Sequence, residues 1–129
     1  MSEAREDGEA AGQPQETWVP LLPAQGTGTT VRADQVPAGG GLECIAGDAV
    51  VAVFLADGVY YGIDGICLHA GGPLAEGFLS GCIVTCPWHG WQYDVRTGEN
   101  CLNARIRTRR FPIRVEPDGT LSAAIAPVS

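Results

Sequence analysis

Only two histidines occur in this chain, and each lies close to a cysteine. His69 follows Cys67 by two residues and His89 follows Cys86 by three, so the sequence contains one Cys-x-His pair and one Cys-x-x-His pair. Thiolate and imidazole are the soft-to-borderline ligands with which proteins bind transition metals. The two pairs therefore predict a metal site with these four residues as its ligands.

The residues around the two pairs resemble the Rieske ferredoxins from Ile66 to about Ile125. The shared motifs are Cys67-Leu68-His69-Ala70-Gly71-Gly72-Pro73-Leu74, Gly77, Cys86-Pro87-Trp88-His89-Gly90-Trp91-Gln92-Tyr93-Asp94, Thr97-Gly98 and Phe111-Pro112-Ile113. The stretch from Trp18 to Asp64 is similar to the opening strands of that family. The resemblance implies one Rieske-type [2Fe-2S] cluster per chain, with Cys67 and Cys86 on the inner iron and His69 and His89 on the outer, exposed iron.

Two alternatives remain for the ligands. A closed zinc site also suits two cysteines and two histidines, although the Cys-x-His spacing and the family-like glycines and prolines favour the cluster. Cys82 lies four residues before Cys86, but its spacing to His89 differs from that of the family. Cys82, Cys44 and Cys101 are predicted to be small, buried hydrophobic residues in a reducing compartment, and their odd number leaves at least one free thiol in a monomer.

The reduction potential follows from the resemblance. The high-potential branch of the family has a disulfide between the two ligand loops, and this chain has Gly72 and Trp88 at those positions. This chain also has Trp91 at the position of a hydrogen-bonding serine in the high-potential branch. Tyr93 lies at the position of the hydrogen-bonding tyrosine of that branch. The loss of the disulfide and of one donor predicts a potential nearer to about −150 mV than to about +300 mV.

Two surfaces are candidates for partner binding. Leu68, Pro73, Leu74, Trp88 and Trp91 could form an apolar collar around the histidines, and the alternative is that they pack the two loops together. For Trp91 we expect packing. The second surface is a run of five of the eight arginines, namely Arg105, Arg107, Arg109, Arg110 and Arg114. We expect a strand from Arg105 to Arg109 whose solvated edge discourages aggregation. A partner site is the alternative for this run.

Composition limits the remaining possibilities. The 129 residues are 45% hydrophobic, which is sufficient for one domain with a modest core, and the net charge of −7 argues against nucleic acid and anionic membranes as partners. Residues 1–16 are acidic and predict a flexible tail without signal-peptide character. The longest apolar run, Ala49 to Ala56, is too short to span a bilayer. We therefore expect a soluble, cytoplasmic protein that is monomeric when free.

The pattern of apolar residues and turns predicts an all-β fold with scarce helix. The expected strands are Trp18–Leu22, Thr29–Ala33, Leu42–Ala46, Ala49–Leu55, Val59–Ile63, Cys82–Thr85, Trp91–Val95, Arg105–Arg109, Phe111–Val115 and Thr120–Ile125. Gly47-Asp48, Asp57-Gly58 and Asp118-Gly119 are the expected turns. The resemblance implies an antiparallel β-sandwich or barrel-like base in residues 17–129, with an inserted cluster-binding subdomain at about residues 65–95 that carries both ligand loops.

The resemblance implies electron transfer rather than catalysis. Both histidines are assigned to the cluster, so none is left for the iron site of two histidines and a carboxylate that an oxygenase needs. We therefore expect a one-electron carrier between a flavin-dependent reductase and a terminal oxygenase, as in a dioxygenase system. The alternative is a small subunit of a larger redox enzyme, such as an assimilatory nitrite reductase.

Overall fold

The computed structural model of the protein describes residues 17–24, 29–66, 72–88 and 90–125. These residues form antiparallel strands and two 3-10 turns, and they contain no α-helix, as the weak helical periodicity predicts. The strands are β1 (Thr17–Pro20), β2 (Leu22–Pro23), β3 (Gly41–Ala46), β4 (Ala49–Ala56), β5 (Val59–Asp64), β6 (Phe78–Ser80), β7 (Ile83–Thr85), β8 (Gln92–Asp94), β9 (Arg110–Phe111), β10 (Ile113–Val115) and β11 (Leu121–Ile125), and the 3-10 turns are η1 (Ala33–Gln35) and η2 (Leu74–Glu76).

The largest sheet has the strand order β9-β5-β4-β3-β2. Its central strands are joined by the two turns that the sequence predicts. Gly47 begins the first turn with a φ of 61°, and Asp57 and Gly58 form the second with φ values of 52° and 78°. Positive φ at both central residues, as in the second turn, or at a first glycine alone, as in the first, is the geometry of the two-residue turns that suit the right-handed twist of a hairpin. Both turn predictions are therefore confirmed.

A second sheet, β10-β11-β1, covers one face of the first. Val51 and Val53 of β4 and Leu121 and Ala123 of β11 belong to one buried apolar cluster, which we call the first core. Because this cluster takes side chains from both sheets, it is the interior of the predicted antiparallel β-sandwich or barrel-like base.

Both faces of β4 are buried, which explains its uninterrupted apolar sequence. Val51 and Val53 point into the first core, whereas Ala52 and Phe54 belong to a different buried cluster, the second core. Successive side chains of a strand point to opposite faces of the sheet. A strand covered on both sides therefore lacks the polar alternation of a half-exposed strand.

A third, smaller sheet, β6-β7-β8, lies over the second core. Val84 of β7 and Tyr93 of β8 are fully buried there beside Phe54 and Ile63 of the largest sheet. Since β5 and β9 are neighbours in the largest sheet, the small sheet is part of an insertion between them, residues 65–109. Among the described residues, buried aliphatic and aromatic side chains anchor the insertion to the largest sheet.

Two predicted strands are divided because the chain passes from one sheet to another. Leu21 separates β1 from β2, and its N–H donates to the carbonyl of Leu121 at 2.9 Å. Pro112 separates β9 from β10, and a proline has no N–H with which to continue a ladder. Both predictions found extended chain but missed the change of sheet, since local sequence does not identify the pairing partner.

Two other strand predictions are wrong. Thr29–Ala33 makes one isolated bridge, Arg32 with Thr120, and then enters η1, where the Gln35 side chain accepts the Arg32 N–H at 2.7 Å. Such a side-chain hydrogen bond competes with strand pairing. Arg105–Arg109 is a loop with one isolated bridge, Glu99 with Arg107. The expected row of arginines along a solvated strand edge is therefore absent from these described residues.

Strand β6 (Phe78–Ser80) lies outside the strands that the sequence predicts. The predicted acidic tail, residues 1–16, lies outside the described residues, and the division into tail, domain and subdomain stays a prediction. Within the described ranges, the fold includes no helix with the length and apolar character needed to cross a bilayer.

Candidate metal centre

Cys86 is the one predicted ligand that the structure describes; Cys67, His69 and His89 lie outside the described residues. Cys86 follows β7 directly and is only 1% exposed. Its N–H donates to the carbonyl of Trp91 at 2.7 Å, so residues 86 and 91 close the base of a short loop that we call the second ligand segment. The loop begins where one small-sheet strand ends and finishes where the next begins.

The backbone of the second ligand segment turns back toward the thiol. The N–H of Trp88 donates to the Sγ of Cys86 at 3.4 Å. Pro87 favours the turn because its ring sets φ near −65°. Gly90 has a φ of 74°, which a residue with a side chain rarely adopts. An N–H directed at sulfur stabilises a thiolate, and thiolate is the form of cysteine that binds metal.

The first ligand segment, residues 66–73, also has a closed base. Ile66 and Pro73 form an antiparallel bridge, and the N–H of Leu74 donates to the carbonyl of Gly65 at 2.9 Å. The carboxylate of Asp64 accepts the N–H of Ile66 at 3.1 Å. The chain therefore leaves β5 and returns to η2 at nearly the same point.

Gly72 brings the two segments into contact. A Cβ added at Gly72 would lie 3.0 Å from the Sγ of Cys86 and 2.9 Å from the Cγ of Trp88. These distances are shorter than ordinary van der Waals contacts, so the glycine backbone packs directly on the thiol and the indole. The returning end of the first segment is therefore adjacent to the cysteine of the second, as one shared metal site would require.

The donor chemistry fits an iron–sulfur cluster. Cys86 offers a buried sulfur that already accepts one N–H, and its neighbour Gly72 has no side chain to occupy the adjacent space. Within ranges 17–24, 29–66, 72–88 and 90–125, no group of three or more histidine, cysteine or carboxylate side chains comes together. The full ligand set consequently stays a prediction.

Only part of the predicted apolar collar is exposed. Trp88 is 51% exposed, whereas Leu74 is fully buried in the second core, so the assignment of Leu74 to a docking surface is wrong. Trp91 packs against the second core, which confirms the packing expected for it. Pro73 is half-buried, and Leu68 lies outside the described residues.

The other cysteines differ in their surroundings. Cys44 is fully buried in the first core, and burial raises the pKa of its thiol to about 12. Cys82 is half-buried and packs against the second core. Cys101 is exposed, so its prediction as a buried hydrophobic residue is wrong. Cys101 follows Asn100, whose side chain accepts the N–H of Leu102 at 2.9 Å and so forms a polar surface turn.

An ion pair holds the turn after β8. The guanidinium of Arg96 donates to both carboxylate oxygens of Asp94, at 3.0 and 2.8 Å. Hydrogen bonding from Arg96 lowers the pKa of the Asp94 carboxyl. The carbonyl of Asp94 accepts the N–H of Gly98 at 2.7 Å, so the turn leading away from the second ligand segment is anchored at its start.

The described residues form an all-β fold with a buried cysteine at the start of a loop. A family model described as the Rieske [2Fe-2S] domain matches residues 28–112. The chain therefore belongs to the Rieske [2Fe-2S] domain family, whose [2Fe-2S] cluster is its cofactor. This membership confirms the resemblance on which the sequence predictions rested.

Known proteins agree with this membership. The chain is 27% identical over 84 residues to the ferredoxin component of the naphthalene 1,2-dioxygenase/salicylate 5-hydroxylase systems of a Ralstonia species, covering 64% of this chain and 81% of that protein. The Sphingomonas yanoikuyae B1 ferredoxin has a TM-score of 0.67 at 24% identity and covers 87% of this chain and 100% of its own. A chain assigned as the small subunit of NADH-dependent nitrite reductase from Mycobacterium tuberculosis has a TM-score of 0.71 at 20% identity. The match covers 88% of this chain and 98% of that chain. The two structures show the shared fold.

Proposed function

We propose that this chain is a one-electron carrier that takes electrons from a flavin-dependent reductase and delivers them to a terminal oxygenase. The observation that carries the proposal is the contact of Gly72 with the Sγ of Cys86, which joins the two ligand segments at one point. The similarity to a ferredoxin component of dioxygenase systems supports the choice of partners.

The proposed ligands are Cys67 and Cys86 for one iron and His69 and His89 for the other, as in the family. When bound, the cluster accepts and returns a single electron, and its two imidazole ligands raise the potential above that of a four-cysteine cluster. The protein contributes the buried sulfur of Cys86, the N–H of Trp88 directed at that sulfur, and a closed base for each of the two ligand segments.

We further propose that the carrier works in the cytoplasm as a monomer when free. The proposed domain comprises residues 17–129, with a cluster-binding subdomain at about residues 65–95 and a flexible acidic tail at residues 1–16. The insertion of the small sheet between β5 and β9 supports the subdomain, and the net charge of −7 favours solubility.

A small subunit of a larger redox enzyme is the second candidate. The shared fold with the chain assigned as a nitrite reductase small subunit favours it. A free carrier turns over many times between two separate proteins, whereas a subunit copurifies in a fixed ratio with its large partner. Coexpression with each candidate partner, followed by size-exclusion chromatography, separates the two functions.

Two buried cysteines make a matched test of the proposed centre. Cys86→Ala removes a proposed ligand, and Cys44→Ala removes a thiol of similar burial from the first core. After anaerobic reconstitution, we expect the Cys44→Ala variant to retain the visible absorption and the dithionite-dependent EPR signal of the wild type. We expect the Cys86→Ala variant to lose both. Retention of the EPR signal by Cys86→Ala would contradict the ligand assignment.

The carrier role is tested with the reconstituted protein, a flavin-dependent ferredoxin reductase and a ring-hydroxylating terminal oxygenase. We expect the reductase to bleach the visible spectrum of the cluster and the oxygenase to restore it with product formation. Oxygenase turnover at the same rate without this protein would refute the carrier function.

A further inference from the structure

A loop between the small sheet and β9 concentrates the positive charge of this acidic protein. Residues 101–110, which we call the arginine segment, contain four of the eight arginines and no acidic residue, while the whole chain has a net charge of −7. The segment is not a strand, apart from Arg110 at its end, so the arginines do not serve as the protected edge that their spacing suggested. Their concentration requires another explanation.

Some arginines in this region are neutralised by carboxylates. Arg107 pairs with Glu99 at 2.6 Å, and Arg96 pairs with Asp94 at 2.8 Å just before the segment. Such pairs cancel the local charge and leave little potential to attract a partner. The pair of Arg107 with Glu99 also ties the segment to the turn that precedes it.

Three arginines of the segment have no ion pair with any other described residue. The guanidinium of Arg109 lies 4.5 Å above the ring of Phe111, and that of Arg110 donates to the carbonyl of Arg96 at 3.1 Å. Arg105 is exposed. Arg109 also lines a surface pocket with Asp48 and Asp64, but none of the three arginines forms an ion pair with a described carboxylate, and the side chains of Arg109 and Arg110 are held in place. The segment therefore carries three positive charges outside any ion pair with a described residue, two of them ordered, on an otherwise acidic protein.

The arginine segment borders both ligand segments. The backbone carbonyl of Arg109 accepts the N–H of Asp64 at 2.8 Å. Asp64 is the last residue of β5, just before the first ligand segment. The N–H of Cys101 donates to the carbonyl of Gln92 at 2.9 Å, and Gln92 starts β8 directly after the second ligand segment. A molecule bound to the arginine segment would therefore lie next to the bases of both ligand segments.

We propose that the arginine segment docks a carboxylate-rich surface of the protein that exchanges electrons with this chain. Leu102, at the tip of the segment, is 95% exposed. An exposed leucine beside arginines suits a protein interface, where apolar and arginine side chains are buried together. A nucleic acid would bury little of that apolar surface and would be repelled by the remaining charge. This inference rests on the proposed carrier function.

Charge complementarity acts mainly on the rate of association and on its dependence on salt. The test variant is Arg105→Gln combined with Arg109→Gln, and the control is Arg114→Gln together with Arg32→Gln, which removes the same charge outside the segment. At low ionic strength we expect the test variant to be reduced by the flavin-dependent reductase, or oxidised by the oxygenase, about tenfold more slowly than the wild type. We expect the rate of the control variant to stay within about twofold of the wild-type rate. In 0.5 M salt, the difference in rate between the test variant and the wild type should disappear. The EPR spectra of both variants should match that of the wild type.

Poly-L-glutamate provides a probe that does not depend on the redox partners. We expect it to bind the reconstituted wild type and the control alike, and to bind the test variant about tenfold more weakly. Equal binding by all three, or tighter binding of a DNA duplex than of poly-L-glutamate, would overturn the docking proposal. Arginine-dependent binding of poly-L-glutamate without electron exchange with either redox partner would uphold the docking surface and overturn the carrier function.

Discussion

Gly72→Ala is the substitution that tests most directly how the two ligand segments are joined. The added methyl carbon would lie 2.9 Å from the Cγ of Trp88, 3.0 Å from the Sγ of Cys86 and 3.1 Å from the Cβ of Trp88. Ordinary van der Waals contacts between carbon atoms begin at about 3.5 Å. The methyl group therefore requires the second ligand segment to move away by about half an ångström.

The cost of this movement follows from overpacking. Forcing one methyl group into a closely packed site costs about 1–3 kcal/mol, which corresponds to a fall in Tm of about 4–12 °C for a domain of this size. Gly40→Ala is the matched control, since its added methyl would meet only Pro37, at an ordinary 3.7 Å. The control is expected to change stability by less than about 0.5 kcal/mol.

The assay combines thermal unfolding of the reconstituted protein with its cluster spectrum. We expect Gly72→Ala to lower the Tm, to lose cluster absorption faster during storage in air, and to shift the EPR g-values because the sulfur of Cys86 is displaced. Gly40→Ala should match the wild type in all three measurements. If Gly72→Ala has the Tm and the spectrum of Gly40→Ala, the two ligand segments are not packed through Gly72 and the reasoning is refuted.

Two further predictions concern ionisable side chains. Arg96 lowers the pKa of Asp94 below its ordinary 3.8, so their pair stabilises the folded state above about pH 4 and ceases to do so as the pH falls through the folded-state pKa. The substitution Arg96→Gln should therefore destabilise the protein more at pH 7 than at pH 3, as measured by urea unfolding. Equal destabilisation at the two pH values would contradict this prediction. The side chain of Cys44 is buried and its pKa is raised to about 12, so it should resist iodoacetamide at pH 8 until the protein unfolds. Cys101 is exposed and should react in the folded state. Alkylation of Cys44 before Cys101, detected by mass spectrometry, would contradict this expectation.

Features that depend on a few adjacent residues were predicted well. The Asp57-Gly58 turn requires positive φ at both residues, and aspartate and glycine are among the residues that tolerate it. The strands around this turn were also identified, since Ala49–Ala56 is apolar throughout. The sequence did not reveal that β4 is covered on both faces, because the second cover is the small sheet, whose strands come later in the chain.

Features that depend on a distant partner were predicted poorly. Thr29–Ala33 has strand-forming residues but makes only one bridge to Thr120, and a local hydrogen bond from Arg32 to Gln35 takes over. Arg105–Arg109 alternates like a strand and yet forms only one isolated bridge, between Arg107 and Glu99. Strand propensity largely reflects packing against cross-strand neighbours, which no local pattern specifies.

The sequence by itself determined the chemistry available to this protein: two Cys/His pairs, a glycine where a disulfide would otherwise join the loops, and turns that reverse the chain. Only the tertiary structure decided that Gly72 lies against Cys86 and that the arginine segment borders both ligand segments. Residue types and tight turns act through bonds and neighbours a few residues away. The contact of residue 72 with residue 86 and the hydrogen bond of residue 109 with residue 64 arise from the packed fold, in which non-directional apolar burial brings together segments that are distant along the chain.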